Sequence, residues 1–170
     1  EENHIGQIQI RGENVTSGYY HNDQETARSF CNEWFRMGDL GYLNNNRLFI
    51  TGRIKDIIFI NGTNYYSHDL ENTAFQLEEV SFGKIVIGGY FDEKEGRDKL
   101  LVFMVGSDNQ ATRDIFLKIK SVLMKTVGIS PDIFIPVRSN EIPRTSSGKI
   151  QRYKLVSRFL KGEFETVVRL

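Results

Sequence analysis

Cysteine is almost missing from this chain. The 170 residues hold one, Cys31, so no internal disulfide can form and no cysteine-rich metal cluster can be built. That usage fits a reducing compartment, and a cytoplasmic location is the expectation. Histidine is scarce as well: His4, His21 and His68 lie scattered, without metal-ligand spacing. No apolar run approaches the length of a membrane span, and no basic-then-apolar leader opens the sequence. Excess charge of one sign is also lacking, since Lys+Arg is 22 and Asp+Glu is 22. That balance argues against non-specific binding to nucleic acid or membranes and leaves only a local patch. Internal repeats and low-complexity tracts are missing too.

What is present can bury a core: 39% of the residues are hydrophobic and 26% charged, an ordinary globular composition. The chain opens on "EENHIGQIQIRG", which enters a strand almost at once and suggests a cut inside a longer protein. Ile8 and Ile10 alternate with polar residues as in a half-buried strand. Asn22 with Glu25 three positions on has the form of a capping box ahead of a short helix. "EWFRMGDLGYLNNNRLFITGR" reads as two strands around an asparagine turn. This first part, residues 1–52, is expected to be a β-rich piece of a larger body.

Residues 53–170 read as a separate α+β lobe, with the join near Arg53 to Asp56. "DIIFINGTNYY" predicts a hairpin. Ser67 is placed to cap a helix running to about Leu77, with Asp69 and Glu71 in its first turn. "KIVIGGYF" and "KLLVFMVG" predict two apolar strands. Ile115, Ile119, Val122 and Leu123 carry helical spacing between Thr112 and Val127. "DIFIPV" predicts a further strand, and a last helix is expected from about Tyr153 to Leu160. The order β-β-α-β-β-α-β-α implies a three-strand sheet with helices on it plus a hairpin.

Three stretches could carry chemistry. "IPRTSSGKIQR" places Lys149 after Gly148 in a polar loop. The Walker A pattern fails there, because Pro143 holds the place of its first glycine and Ile150 that of its Ser or Thr. Thr145, Ser146, Ser147 and Gly148 form a loop without apolar anchors, expected to be exposed and mobile. Either it presents the Lys149 ammonium to an anion or it is a solvated basic link between strand and helix. In "FRMGDLGY", Asp39 stands beside Gly38 where a strand is expected to end. Its carboxylate could accept hydrogen bonds from a vicinal diol, or simply sit in a turn. In "GRIKDIIFINGTNYYSHDLE", Arg53, Lys55 and Asp56 mark the join, where ordinary ion pairs of a solvated linker are the alternative. His68, at a helix start, is expected to be exposed rather than a base. Tyr19, Tyr20, Tyr65 and Tyr66 are expected to pack hairpins, since no basic stripe accompanies them for nucleobase stacking.

Taken in order, "GQIQIRGENVTSGYY", "WFRMGDLGYL", "LFITGRIKDIIFINGTNYYSHDLE" and "IPRTSSGKIQR" resemble the carboxy-terminal part of the adenylate-forming enzymes. These are the acyl-CoA synthetases, the luciferases and the adenylation domains of peptide synthetases. The likeness covers nearly the whole chain. Within that superfamily it most resembles the fatty acyl-AMP ligases, through "GRIKD" and the Asn64, Tyr66, Asp69 pattern. The resemblance implies a carboxylic acid, ATP and an acyl-adenylate, with the acyl group passed to the phosphopantetheine thiol of a carrier protein. Asp39 and Arg53 would hold the ribose of ATP or AMP, Lys149 would touch the substrate carboxylate and the α-phosphate, Lys55 would be a hinge, and Gly62 would face the pantetheine tunnel. Mg2+ is expected in the parent protein but not on residues of this chain. Acidic carrier helices would favour basic residues on the docking face, with Lys84, Arg138 and Arg152 as candidates.

The chain also departs from the resemblance. Met37 stands where the family usually has Thr. Phe59 and Asn61 replace charged residues of some relatives, which removes one candidate lysine for the thioester step. The phosphate loop, adenine pocket and acyl tunnel have no counterpart here, so the chain would act with the amino-terminal body of the same protein and be inactive alone. Two other readings stay open: an acyl-CoA synthetase using free CoA, and a docking module without catalysis.

Overall fold

Three pairs of residues in the left-handed region fold the chain back on itself. Asn32–Glu33 have φ of 48° and 68°, Asn45–Asn46 of 48° and 58°, and Asn61–Gly62 of 49° and 82°. Each pair joins antiparallel partners, Cys31↔Trp34, Asn44↔Arg47 and Ile60↔Thr63. Two-residue loops with both φ positive are type I′ hairpin turns, whose twist matches that of the strands they join. The asparagine-rich turns expected from the sequence are two of the three. The computed structural model describes residues 2–164 and 166–168. It divides into two compact units, Glu1–Lys55 and Asp56–Leu170.

The first unit is a four-stranded antiparallel sheet built around one long strand, β3 (Trp34–Asn44). Strands β1 (Gly6–Ile10), β2 (Phe30–Cys31) and β4 (Arg47–Arg53) all pair with it. Helix α1 (Asp23–Ser29) starts where the sequence placed it, with Asn22 Oδ1 accepting from the Glu25 amide at 3.1 Å. The register of β3 with β4 shifts after Leu40↔Gly52 to Gly41↔Ile50, which leaves Thr51 bulged. Gly41 sits against that bulge, and a Cβ there would lie 2.4 Å from the Phe49 carbonyl oxygen.

The second unit follows the expected order: β5 (Ile57–Ile60), β6 (Thr63–Tyr66), α2 (Ser67–Ala74), β7 (Ile85–Asp92), β8 (Arg97–Val105), α3 (Gln110–Val127), β9 (Ile133–Val137) and α4 (Arg152–Leu160). Strands β5 and β6 form a hairpin, while the other three form a sheet in the order β7-β8-β9. β7 pairs antiparallel and β9 parallel with β8, and helix α3 makes the crossover between β8 and β9.

The apolar runs are continuous rather than alternating because this sheet is covered on both faces. On one face Ile85, Ile87, Leu100, Val102 and Phe134 pack with Leu70 and Ala74 of α2, Phe116, Ile119 and Leu123 of α3, and Ile58 and Ile60 of the hairpin. On the other, Val86, Leu101, Phe103, Ile133 and Ile135 pack with Ile142 and Leu155 of α4. Val168 adds an antiparallel bridge to Phe134, with N···O distances of 2.8 Å both ways, an element the sequence did not show.

Three boundaries differ from the sequence reading. Helix α2 ends at Ala74, not Leu77, and Ser67 does not cap it: its Oγ donates to the Asp56 carbonyl at 3.0 Å, and the cap position is Tyr66. Helix α3 starts at Gln110, because Asn109 supplies the cap, its Oδ1 accepting from the Thr112 amide at 2.9 Å.

Adjacent glycines let two elements approach opposite faces of β7. A Cβ on Gly88 would lie 2.7 Å from Val156 Cγ2 of α4, and one on Gly89 would lie 2.4 Å from Ile58 Cγ2 of the hairpin. Gly89→Ala should therefore destabilise the fold by about 1–3 kcal/mol through overpacking. Ile58→Ala, which removes the crowding Cγ2, combined with Gly89→Ala should cost less than the sum of the two single losses. Urea unfolding of the single and double variants checks this, and strictly additive losses would contradict the packing account.

Candidate functional site

Asp39 lies within β3, not at a strand end. Gly38, at φ 77°, turns the backbone just before it, and Arg53 is its cross-strand partner on β4. Arg53 Nε donates to Asp39 Oδ1 at 2.8 Å, while the two side chains are 55% and 15% exposed. The pair thus presents one fixed carboxylate and an accessible guanidinium side by side. A vicinal diol needs an acceptor of this kind for its two hydroxyls. The register that makes the pair depends on the bulge at Thr51 and on the bare Cα of Gly41.

The second unit carries the lysine loop. Arg144 and Ile150 form an isolated antiparallel bridge, and Gln151 N donates to the Pro143 carbonyl at 2.8 Å. Inside that base the Thr145 amide donates to the Lys149 carbonyl, and the Gly148 amide to the Thr145 carbonyl, both at 2.9 Å. The Lys149 amide donates to Thr145 Oγ1 at 3.1 Å, and Ser147 Oγ lies 2.9 Å from the same hydroxyl. Gly148 turns the chain at φ 83°. The loop is exposed, as expected, but it is a closed turn and not a loose arm: hydroxyls and backbone groups take the place of apolar anchors. Lys149 is exposed at its end, and its ammonium makes no ion pair among the described residues.

Just beyond the loop lies a group that sequence reasoning missed. Arg152 forks onto Glu71, Nε to Oε1 at 2.9 Å and Nη2 to Oε2 at 2.6 Å, while Nη1 reaches Asp56 Oδ2 at 3.2 Å. Glu71 Oε1 also accepts from the Ile87 amide at 3.0 Å. The Arg152 and Glu71 side chains are only 17% and 6% exposed. Burial works against the charged guanidinium, but hydrogen bonding to Glu71 and the charges of Glu71 and Asp56 raise its pKa above its ordinary value. Arg152 is therefore not available as a docking residue, contrary to the reading from sequence. Lys84 and Arg138 are exposed. Partners 81 and 96 residues away leave no trace in spacing; the only signal was an arginine at each end of the Lys149 stretch.

The other expected positions are also placed. Lys55 is exposed in the 3-10 turn Ile54–Asp56, at the last residue of the first unit. Gly62 forms the tip of the β5–β6 hairpin, where Phe59 is 53% exposed. The pair of Asp39 and Arg53 belongs to one unit and the Lys149 loop to the other. Among the described residues no three His, Cys, Asp or Glu side chains are grouped to hold a metal, and no helix is long and apolar enough to cross a membrane.

Comparison with known proteins agrees with this architecture. Residues 55–168 match the family described as Disco-interacting protein 2-like, AMP domain. A putative fatty-acid–CoA ligase of Mycobacterium leprae, fadD21, is 30% identical over 181 residues, which cover 94% of this chain and 30% of that protein. A 4-hydroxyphenylalkanoate adenylyltransferase of Mycobacterium marinum is 31% identical over 185 residues, covering 97% of this chain and 29% of that protein. Among solved structures, McyG A-PCP complexed with phenylalanyl-adenylate superposes with a TM-score of 0.88 at 40% identity, over 97% of this chain and 30% of that one. A fatty acyl-adenylate ligase from work on E. coli and L. pneumophila does so with a TM-score of 0.79 at 28% identity, over 96% and 29%. The chain thus spans about 30% of the length of these relatives.

Arg152→Ala should cost about 3–5 kcal/mol of folding stability, because it strands the buried Glu71 carboxylate without its partner. Denaturant unfolding measures this, and a loss below about 1 kcal/mol would show the pair to be no more than a surface contact.

Proposed function

Because this chain belongs to the Disco-interacting protein 2-like AMP-domain family of adenylate-forming enzymes, we propose that it supplies the carboxy-terminal part of an AMP-forming ligase. In this reading a carboxylic acid, most fittingly a fatty acid, is activated with ATP to an acyl-adenylate and passed to a carrier-protein thiol. The observation that carries it is the exposed Lys149, set on a closed turn with its ammonium unpaired among the described residues.

The chemistry assigns each residue a task. A carboxylate oxygen attacks the α-phosphorus of ATP, the new P–O bond forms, and pyrophosphate leaves. Negative charge gathers on the α-phosphate, and a positioned ammonium at Lys149 stabilises it. Asp39 accepts from the ribose hydroxyls and Arg53 steadies that carboxylate. In the second step the thiol sulfur attacks the acyl carbon and AMP leaves. Lys149 is not needed there, so Lys55 serves as the hinge that allows it to withdraw, and Gly62 approaches the pantetheine arm. Mg2+ accompanying ATP is assigned to the rest of the protein. The chain alone, about 30% of the length of its relatives, should not catalyse pyrophosphate exchange.

The acceptor is the finer point. The Asn64, Tyr66, Asp69 pattern and the likeness to a solved A-PCP favour a carrier protein, with Lys84 and Arg138 on its docking face. A relative named as a fatty-acid–CoA ligase keeps free CoA as the second reading. Offering the full-length protein both acceptors at equal concentration separates them: acyl-carrier thioester is expected, and acyl-CoA as the main product would select the second reading.

Lys149→Ala in the full-length protein should slow adenylation by about 10²–10³ and spare transfer from preformed adenylate. Pyrophosphate exchange and single-turnover transfer measure the two halves. An unchanged exchange rate would leave the loop as a solvated link.

A further inference from the structure

A lysine that stabilises charge at one atom must be held still, although residues 145–148 offer no apolar side chain for that purpose. Among the described residues, the hydrogen bonds of Thr145 to Lys149 close the loop on itself, with one exception. The exception is Arg144. Its Nη1 donates to the Gly148 carbonyl at 3.1 Å, and its Nη2 donates to the Gly83 carbonyl at 2.9 Å. The Gly148 carbonyl belongs to the peptide group that continues into the Lys149 nitrogen. Gly83 lies 61 residues earlier, in the loop that feeds β7.

We propose that Arg144 is a positioning residue for Lys149, its guanidinium clamping the Gly148–Lys149 peptide to the Gly83 loop. The inference rests on the adenylation reading of Lys149 given above. Several features fit it. The planar fork reaches two carbonyls of separate segments at once, which the single ammonium of lysine does not do in the same geometry. The Gly83 side has been left clear: φ is 75°, and a Cβ there would lie 3.1 Å from Arg144 Nη2. Gly148, at φ 83° with open space around its Cα, is a point where the chain could otherwise swing. With Nη1 and Nη2 each donating to a backbone carbonyl, the role assigned to Arg144 runs through the loop. The base of the loop is tied independently, since Arg152 holds the start of α4 to Glu71 and Asp56. Lys149 thus stands between two arginines that fix the two ends of its turn to different parts of the unit.

The test uses the full-length protein and two readouts. The first is cleavage by a lysine-specific endoprotease under native conditions, comparing the bond after Lys149 with the bond after exposed Lys161. Arg144→Ala and Arg144→Gln should each speed cleavage after Lys149 by about tenfold and leave Lys161 unchanged, because cleavage follows the open population of the loop. Gly83→Ala, which crowds the clamp from its other side, should act in the same direction. The second is pyrophosphate exchange with the fatty acid that the wild-type protein activates best. Arg144→Ala should lower kcat with little change in KM for ATP, and should have no further effect in a Lys149→Ala background. Unchanged cleavage after Lys149 in both Arg144 variants overturns the clamp. Full additivity with Lys149→Ala overturns its action through that lysine. Full exchange activity in Lys149→Ala alone overturns the adenylation reading and leaves the cleavage result to judge the clamp.

Discussion

The Arg152 guanidinium is the point on which three distant segments of the second unit meet. Its three nitrogens donate to the carboxylates of Glu71, on α2, and Asp56, the first residue of the unit. Glu71 in turn accepts from Ile87 in β7, so the first sheet strand joins the same group. An arrangement of this kind adds little net stability compared with apolar packing, but it is intolerant of losing one member. What it contributes is placement. The start of α4, the beginning of the unit and the middle of α2 hold one spacing, and the Lys149 turn projects from a base fixed in that frame.

The frame also accounts for how glycine is used. Gly88 and Gly89 let α4 and the hairpin press on opposite faces of β7, so that both elements are packed on one strand. In the first unit Gly41 does similar work, admitting the Phe49 carbonyl close to β3 and setting the register in which Asp39 faces Arg53. Both arrangements let residues on neighbouring strands be placed by the sheet rather than by loop length, which is the more exact means of holding a polar group.

Much of this was legible in the sequence. The runs "KIVIGGYF" and "KLLVFMVG" announce strands buried on both faces, and the Asn-Asn and Asn-Gly pairs announce tight hairpins, because both signals are local. The order of elements in the second unit follows from them. Ser67 misled because a serine before an acidic turn looks like a cap, whereas its hydroxyl serves the Asp56 carbonyl. Asp39 was read as a strand end because Gly38 resembles a breaker, yet β3 runs through it with a positive φ. The distant partners of Arg144 and Arg152 were illegible for a simpler reason: they lie 61 to 96 residues away, and only folding brings them together. The loop's internal bonds were missed because hydroxyl-to-backbone contacts leave no periodic pattern.

The central claim is that the Lys149 ammonium faces the phosphates of ATP in the whole protein. Lysine reactivity measures that directly. Reductive methylation of the full-length protein, followed residue by residue with mass spectrometry, should slow markedly at Lys149 when Mg-ATP is added and remain unchanged at Lys161. Equal rates at Lys149 with and without the nucleotide, under conditions where ATP binding is demonstrated independently, would contradict the account.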